Sequence, residues 1–111
     1  MEEQADGKTL IVKLRDQRFD SGSAPVVKEC FARLIGQGYR RIALDISEVE
    51  FIDSSGLSAA VWALKRLGSD GELVISGARG TVMSIFRLTR LDKVFRLFPD
   101  KETALAALRS F

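Results

Sequence analysis

The sequence predicts an α/β fold in which a mixed, mostly parallel sheet of about four to five strands is covered by about four helices. Short apolar runs rich in β-branched residues alternate along the chain with longer segments whose apolar residues recur every three or four positions. Glycine, proline or short polar residues separate most of these segments. Because right-handed crossovers between parallel strands need a covering helix, this alternation favours a largely parallel sheet.

The first half of the chain is predicted to form a strand, a helix and a second strand. Residues 9–14 combine β-branched residues with a partial alternation of apolar and polar positions, which is typical of an edge or half-buried strand. A helix is predicted to start at Ser23, a candidate cap, with Pro25 in its first turn, and to stop at the glycines within residues 36–38. Residues 41–46 are strongly apolar and are predicted to lie at the centre of the sheet.

The second half continues the same alternation. A second helix is predicted beyond Gly56 and should end at Gly68. Its apolar stripe consists of Leu57, Ala60, Val61, Leu64 and Leu67. Residues 72–76 predict another buried strand, and residues 94–98 predict a short last strand that is closed by a proline. The helix between these two strands has the apolar residues Val82, Ile85, Phe86 and Leu88. Asp100 is a candidate cap for a final helix. The apolar residues of that helix are Ala104, Leu105, Leu108 and Phe111.

Composition indicates one domain, residues 1–111. The chain has 111 residues, of which 46% are hydrophobic and 29% charged, enough for one core but not for two. No apolar run approaches the roughly 20 residues of a membrane span, and the polar start lacks the features of a secretory signal. We therefore expect a cytoplasmic protein that does not insert into a membrane.

Cysteine and histidine usage argues against metal binding and catalysis. The lone Cys30 excludes an internal disulfide, and without any histidine the chain has no plausible metal set. Histidine is also the usual acid, base or activator of a nucleophile near neutral pH, and no two carboxylates are marked by their context as a catalytic pair. We expect no metal, no cofactor and no enzyme activity.

The net charge of +2 is unevenly distributed along the chain. Residues 1–53 have a net charge of −2 and residues 54–111 a net charge of +4. Five cations of the second half could form one basic face: Arg79, Arg87, Arg90, Lys93 and Arg96. An ordinary solvated surface explains them equally well, and no aromatic residues are interleaved with them as on a nucleic-acid platform. We expect no nucleic-acid partner.

The segment most indicative of function is Ile52-Asp53-Ser54-Ser55-Gly56-Leu57, where a strand-like run meets the start of a helix. A helix start leaves backbone N–H groups unpaired and favours negative charge, so a phosphate on a serine there could be held without unfolding the segment. The alternative is that Ser54 or Ser55 only caps the helix, a common role for serine. Spacing alone leaves both interpretations open.

Residues 42–57 closely resemble the signature of STAS domains, and specifically that of bacterial anti-sigma factor antagonists. The matching features are the apolar strand, the acidic turn, the Asp-Ser-Ser-Gly-Leu element and the helix that follows. The order of predicted elements extends the resemblance over nearly the whole chain. In this family the serine directly after the aspartate is the phosphoacceptor, which here implies Ser54.

The resemblance also implies a function and partners. The unphosphorylated domain is expected to bind a serine kinase that doubles as an anti-sigma factor and has the histidine-kinase-like ATPase fold, which releases the kinase's other client. Phosphorylation should block this binding, and a PP2C-type phosphatase should restore it. The expected partner-binding residues are Asp20, Asp53, Ser54, Ser55, Gly56, Ser58 and Trp62.

Two of these residues have alternative roles. Asp20 matches an acidic residue that usually precedes the first helix in the family, and it could contact the partner or help to cap that helix with Ser21 and Ser23. Trp62 is predicted to lie opposite the apolar stripe of the second helix, where it could anchor a partner or could pack under a neighbouring loop. The amino-terminal strand of the family looks truncated here or replaced by residues 1–7.

Two other functions compete with partner switching. The chain could be a stand-alone STAS subunit attached to the cytoplasmic side of a membrane transporter, with only a structural role for the serine. It could also be an enzyme or nucleotide-binding module, but the only motif for this is Gly77-Ala78-Arg79-Gly80, which lacks the length and the lysine of a phosphate loop.

Overall fold

Strands and helices alternate in the computed structural model, which describes residues 1–110 apart from the side chain of Asp6. The elements in chain order are β1 (Glu2–Asp6), β2 (Thr9–Lys13), β3 (Arg18–Phe19), α1 (Ala24–Gly36), β4 (Arg41–Asp45), β5 (Phe51–Ile52), α2 (Ser54–Leu67), β6 (Glu72–Ser76), α3 (Gly80–Leu88), β7 (Arg96–Phe98) and α4 (Lys101–Arg109). Single 3₁₀ turns follow α2 and α3. Phe111, which the sequence assigns to the final helix, lies outside the described residues.

The main sheet has five strands in the order β1-β2-β4-β6-β7. Only the β1–β2 pair is antiparallel, and every other neighbouring pair is parallel. The predicted fold class, a mixed and mostly parallel sheet with four helices, is confirmed. The prediction that β4 is central is also confirmed, since its Ile42, Ala43 and Leu44 are fully buried.

The prediction that residues 9–14 form an edge or half-buried strand is wrong. β2 lies between β1 and β4, and four of its five residues are buried. The amino-terminal strand is present as β1, joined to β2 by a two-residue hairpin turn in which Gly7 has a φ of 65°. Glycine suits this turn because the positive φ is costly for other residues.

Helices cover both faces of the sheet. On one face α1, α2 and α3 share a single core with β2, β4 and β6. On the other face α4 packs alone, through the buried Ala104 and Leu108, on Ile11, Ala43 and Val74. Cys30 belongs to the larger core.

Helix boundaries agree with the sequence, and the main departure concerns which residues of α2 are buried. α1 stops at Gly36, α2 is ended by Gly68 with a φ of 69°, and Asp100 caps α4 through the backbone N–H of Thr103 at 2.9 Å. For α2 the predicted stripe is confirmed in part, since Ala60 and Leu67 are buried, whereas Leu57, Val61 and Leu64 are only half-buried against the core. The buried residues of α2 are Gly56, Ala59, Ala60, Ala63 and Leu67. Leu88, expected in the core, is 82% exposed.

A small second sheet supports the start of α2. β3 and β5 pair in parallel, with Phe19 opposite Ile52. This pairing brings the loop before α1 next to the loop before α2. Within the described residues, none of the helices is long and apolar enough to cross a membrane.

Candidate functional site

Asp53, and not Ser54 or Ser55, caps α2. The Oδ1 atom of Asp53 accepts hydrogen bonds from the backbone N–H groups of Ser55 at 2.9 Å and Gly56 at 3.1 Å. Asp53 has extended backbone geometry, which is usual at this position, and Ser54 is the first residue of the helix. The interpretation of either serine as the cap is therefore wrong, and the Ser54 hydroxyl is not needed to satisfy the helix start.

Gly56 allows α2 to begin directly against β3. A Cβ atom at this position would lie 2.2 Å from the backbone oxygen of Phe19 and 2.9 Å from Cγ1 of Ile52. Gly56 is buried. Its expected role in partner binding could therefore only be indirect, through the placement of the serines on either side of it.

The three serines at the start of α2 differ in exposure. Ser54 and Ser58 are exposed, whereas Ser55 is half-buried. Ser54 is thus the accessible hydroxyl that follows the capping aspartate. All three line a shallow cleft between α1 and α2, whose other walls come from Ser21, Ala24, Pro25 and Lys28.

A second depression, the α2 groove, adjoins this cleft and shares Ser54 and Ser58 with it. The α2 groove runs along the exposed side of α2, between Lys28 of α1 and the turn after α3. Its lining consists of Lys28, Ser54, Leu57, Ser58, Val61, Trp62, Lys65, Thr89 and Leu91. The accessible serines therefore lie at a junction of two depressions rather than on a flat surface.

Trp62 lies in the α2 groove on the same side of the helix as Leu57 and Val61. The prediction that it lies opposite these residues is wrong, because the buried face of α2 is formed by alanines and turns the larger side chains outward. Trp62 is half-buried and packs against the edge of the main core, and the Arg66 guanidinium lies 5.6 Å from its ring centroid.

Asp20 organises the loop before α1 without capping the helix. Its carboxylate accepts hydrogen bonds from the backbone N–H of Gly22 and from Nε of Arg18, both at 3.0 Å. Ser23 occupies the cap position, but its hydroxyl donates to the Arg18 carbonyl and accepts from the Asp20 N–H instead of bonding to the helix. The Arg18 guanidinium, and then the Gly22 N–H, hold the pKa of Asp20 below its ordinary value.

Lys28 is a site residue that sequence reasoning missed. It is half-buried in α1 and lines both depressions that contain Ser54. In the sequence it is one polar position of an amphipathic helix, and only the packing of α1 on α2 brings it beside the serines. No group of three or more potential metal-ligating side chains is found within residues 1–110, Asp6 aside.

Comparison with known proteins gives a consistent family. The STAS domain family matches residues 1–104. A Thermotoga maritima protein, provisionally named an anti-sigma factor antagonist, is 30% identical over 102 residues that cover 90% of each chain. The anti-sigma-F factor antagonist RsfB of Mycobacterium tuberculosis is 25% identical over 95% of this chain and 86% of its own. The crystal structure of an anti-sigma factor antagonist from Mycobacterium paratuberculosis superimposes with a TM-score of 0.88 at 27% identity, covering 97% of this chain and 92% of the other.

Proposed function

Because the chain belongs to the STAS domain family, we propose that it is an anti-sigma factor antagonist that changes partners when Ser54 is phosphorylated. In its unmodified form it binds a serine kinase of the histidine-kinase-like ATPase fold in the bacterial cytoplasm, and so releases the client that this kinase otherwise holds. The relatives named as anti-sigma factor antagonists, which match over most of this chain, support the class of function.

The proposal that Ser54 is the phosphoacceptor rests on the position of this residue. Ser54 is exposed at the first turn of α2, and Asp53 already caps the helix. The hydroxyl is therefore free for chemistry. A phosphate here would lie near the positive end of the helix dipole, which favours negative charge.

The switch requires two reactions, both performed by the partners. The kinase transfers the γ-phosphoryl group of ATP to Oγ of Ser54, which loses its proton, and ADP leaves. A PP2C-type phosphatase then hydrolyses the phosphate ester with water, which restores the hydroxyl and releases inorganic phosphate. The protein itself contributes the acceptor and the binding surface, and no catalytic group.

Phosphate mapping tests the acceptor. The protein is incubated with ATP and the serine kinase of its own bacterium, and the product is analysed by intact mass and peptide mapping. We expect one phosphate on Ser54, no incorporation in Ser54→Ala, and substantial incorporation in Ser55→Ala, the matched control. Phosphate mapped to Ser55 or Ser58 in the wild type would contradict the assignment.

Calorimetry tests the switch itself. Ser54→Ala should retain the affinity of the wild type for the kinase, whereas Ser54→Asp should weaken it about tenfold or more, because a charge beside Asp53 must be desolvated in the complex. Equal affinities of all three proteins would contradict the proposal. Recovery of a membrane permease instead of a kinase in a pull-down would favour the transporter-subunit function.

A further inference from the structure

The floor of the α2 groove is apolar and partly open to solvent. Leu57, Val61, Trp62 and Leu91 contribute side chains that are packed against the core on one side and half-exposed on the other. Because the buried face of α2 consists mostly of glycine and alanine, with Leu67 at its end, these larger side chains are only partly buried in the core. The groove can therefore bury apolar side chains of another molecule.

The rim of the α2 groove is positively charged. Lys28 and Lys65 line it, and no carboxylate does so among the described residues. Neither lysine forms an ion pair in the part of the chain that the structure describes, although Lys13, Arg15, Arg18, Arg33 and Arg96 do. Arg66 adds a third cation beside the Trp62 ring. Among the described residues, these three cations therefore have no ion-pair partner.

We propose that the α2 groove binds an acidic amphipathic segment of the protein partner. Apolar side chains of that segment pack on Leu57, Val61 and Trp62, and its carboxylates face Lys28 and Lys65. The charge complementarity specifies the occupant, since a neutral apolar segment would leave both lysines without partners and a basic one would be repelled. This inference rests on the proposed function in one respect, namely that the surface around Ser54 is where the partner binds.

The same geometry specifies how phosphorylation acts on the groove. Ser54 and Lys28 line the groove together, so a phosphate on Ser54 places about −1.5 to −2 charges at the rim. That charge competes for Lys28 and repels the carboxylates of the segment. The phosphate therefore closes the groove to an acidic segment by changing the charge of the rim.

An unbiased peptide selection tests the chemistry of the occupant. A display library of random peptides of about 16 residues, roughly four helical turns, is selected on the full unmodified protein. We expect enriched peptides with apolar residues at helical spacing and an excess of aspartate and glutamate. Trp62 is the only tryptophan of the chain, so the intrinsic fluorescence of a complex with a tryptophan-free peptide reports whether the groove is occupied.

Charge reversals locate the binding. Lys28→Glu and Lys65→Glu should each weaken the binding of the selected peptides by up to about fivefold, the upper end for an exposed ion pair. Lys8→Glu is the matched control, because it makes the same charge change at an exposed lysine in the β1–β2 turn and should not alter affinity. Ser54→Asp should also lower the affinity for the selected peptides, and added salt should lower the affinity of the wild type for them.

Four outcomes would overturn the proposal: no enrichment, enrichment of neutral or basic peptides, binding that leaves Trp62 fluorescence unchanged, or equal affinity in Lys28→Glu and wild type. Binding to anionic phospholipid vesicles in place of peptides would also overturn it. No kinase is present in this assay, so its failure would leave the phosphorylation of Ser54 to be judged by the mapping experiment alone.

Discussion

At Gly56 the backbone of α2 passes so close to Phe19 that no side chain fits between them. The contact fixes the distance between the start of α2 and the small β3–β5 sheet. Asp53 fixes the first turn of the same helix by accepting two backbone hydrogen bonds. Because Asp53 and Gly56 fix the backbone on either side of Ser54, the Ser54 side chain is not needed to hold the first turn of α2 and can remain exposed.

Replacement of Gly56 by alanine should be destabilising because the new Cβ would overlap the Phe19 carbonyl, a backbone atom that cannot rotate away. We expect Gly56→Ala to lower the free energy of unfolding by about 1–3 kcal/mol, the range for an overpacked core position. Gly36→Ala is the control, since no atom lies within 4 Å of its ideal Cβ and alanine is the better helix former. Urea denaturation measures both variants, and an equal stability of the two would contradict this explanation.

At the scale of the elements, α4 packs on the sheet through few buried side chains. It is the only helix of the described chain on its face of the sheet, and it is held there mainly by Ala104 and Leu108. The cap at Asp100 adds to this by satisfying the Thr103 N–H. The packing of α4 is therefore concentrated in very few side chains.

Truncation of Leu108 tests this concentration. Leu108→Ala should lower the free energy of unfolding by about 2–5 kcal/mol, the cost of a cavity at a fully buried leucine. Leu88→Ala makes the same chemical change at a residue that is 82% exposed and should stay within about 0.5 kcal/mol of the wild type. Thermal or chemical denaturation separates the two variants. A similar loss in both would mean that the side of α3 that includes Leu88 is packed in solution.

Sequence patterns located the elements well, but they did not identify the whole buried face of α2. Local signals at Gly36, Gly68 and Asp100 are chemical requirements of helix ends, so they could be identified without the fold. The whole buried face of α2 could not, because Ala59 and Ala63 are buried only as a result of the close approach of neighbouring elements. The predicted stripe shares Ala60 and Leu67 with the buried face but is displaced toward Leu57, Val61 and Leu64, and the same displacement placed Trp62 on the wrong side.

The missed strand β1 has a different cause. Residues 2–6 are Glu-Glu-Gln-Ala-Asp, which have little intrinsic preference for a strand, so pairing with β2 overrides local propensity. The glycine in the turn that follows was an available signal for a hairpin. At the site, the sequence identified the segment and Ser54 as candidates, but it could not reveal Lys28, which reaches the serines only through helix packing.

For the whole molecule, the structure predicts that a negative charge at Ser54 changes recognition without changing the fold. Ser54→Asp should keep the circular dichroism spectrum and alter the free energy of unfolding by no more than about 1 kcal/mol, because the residue is exposed at a helix start where acidic side chains are favourable. Ser54→Ala provides the uncharged comparison. Extensive loss of secondary structure in Ser54→Asp would mean that this serine is structural.

The arrangement of the sheet edges has a consequence for how the protein behaves when crowded. Exposed strand edges are templates on which other chains can add strands and aggregate. Here one edge is β1, whose side chains are mainly acidic, and the other is β7, which has three residues and is followed by Pro99. Both edges discourage the addition of a strand, so the apolar β2, β4 and β6 are shielded from self-association. The fold thus favours contacts made through helices and loops, which can form and dissociate without any exchange of strands.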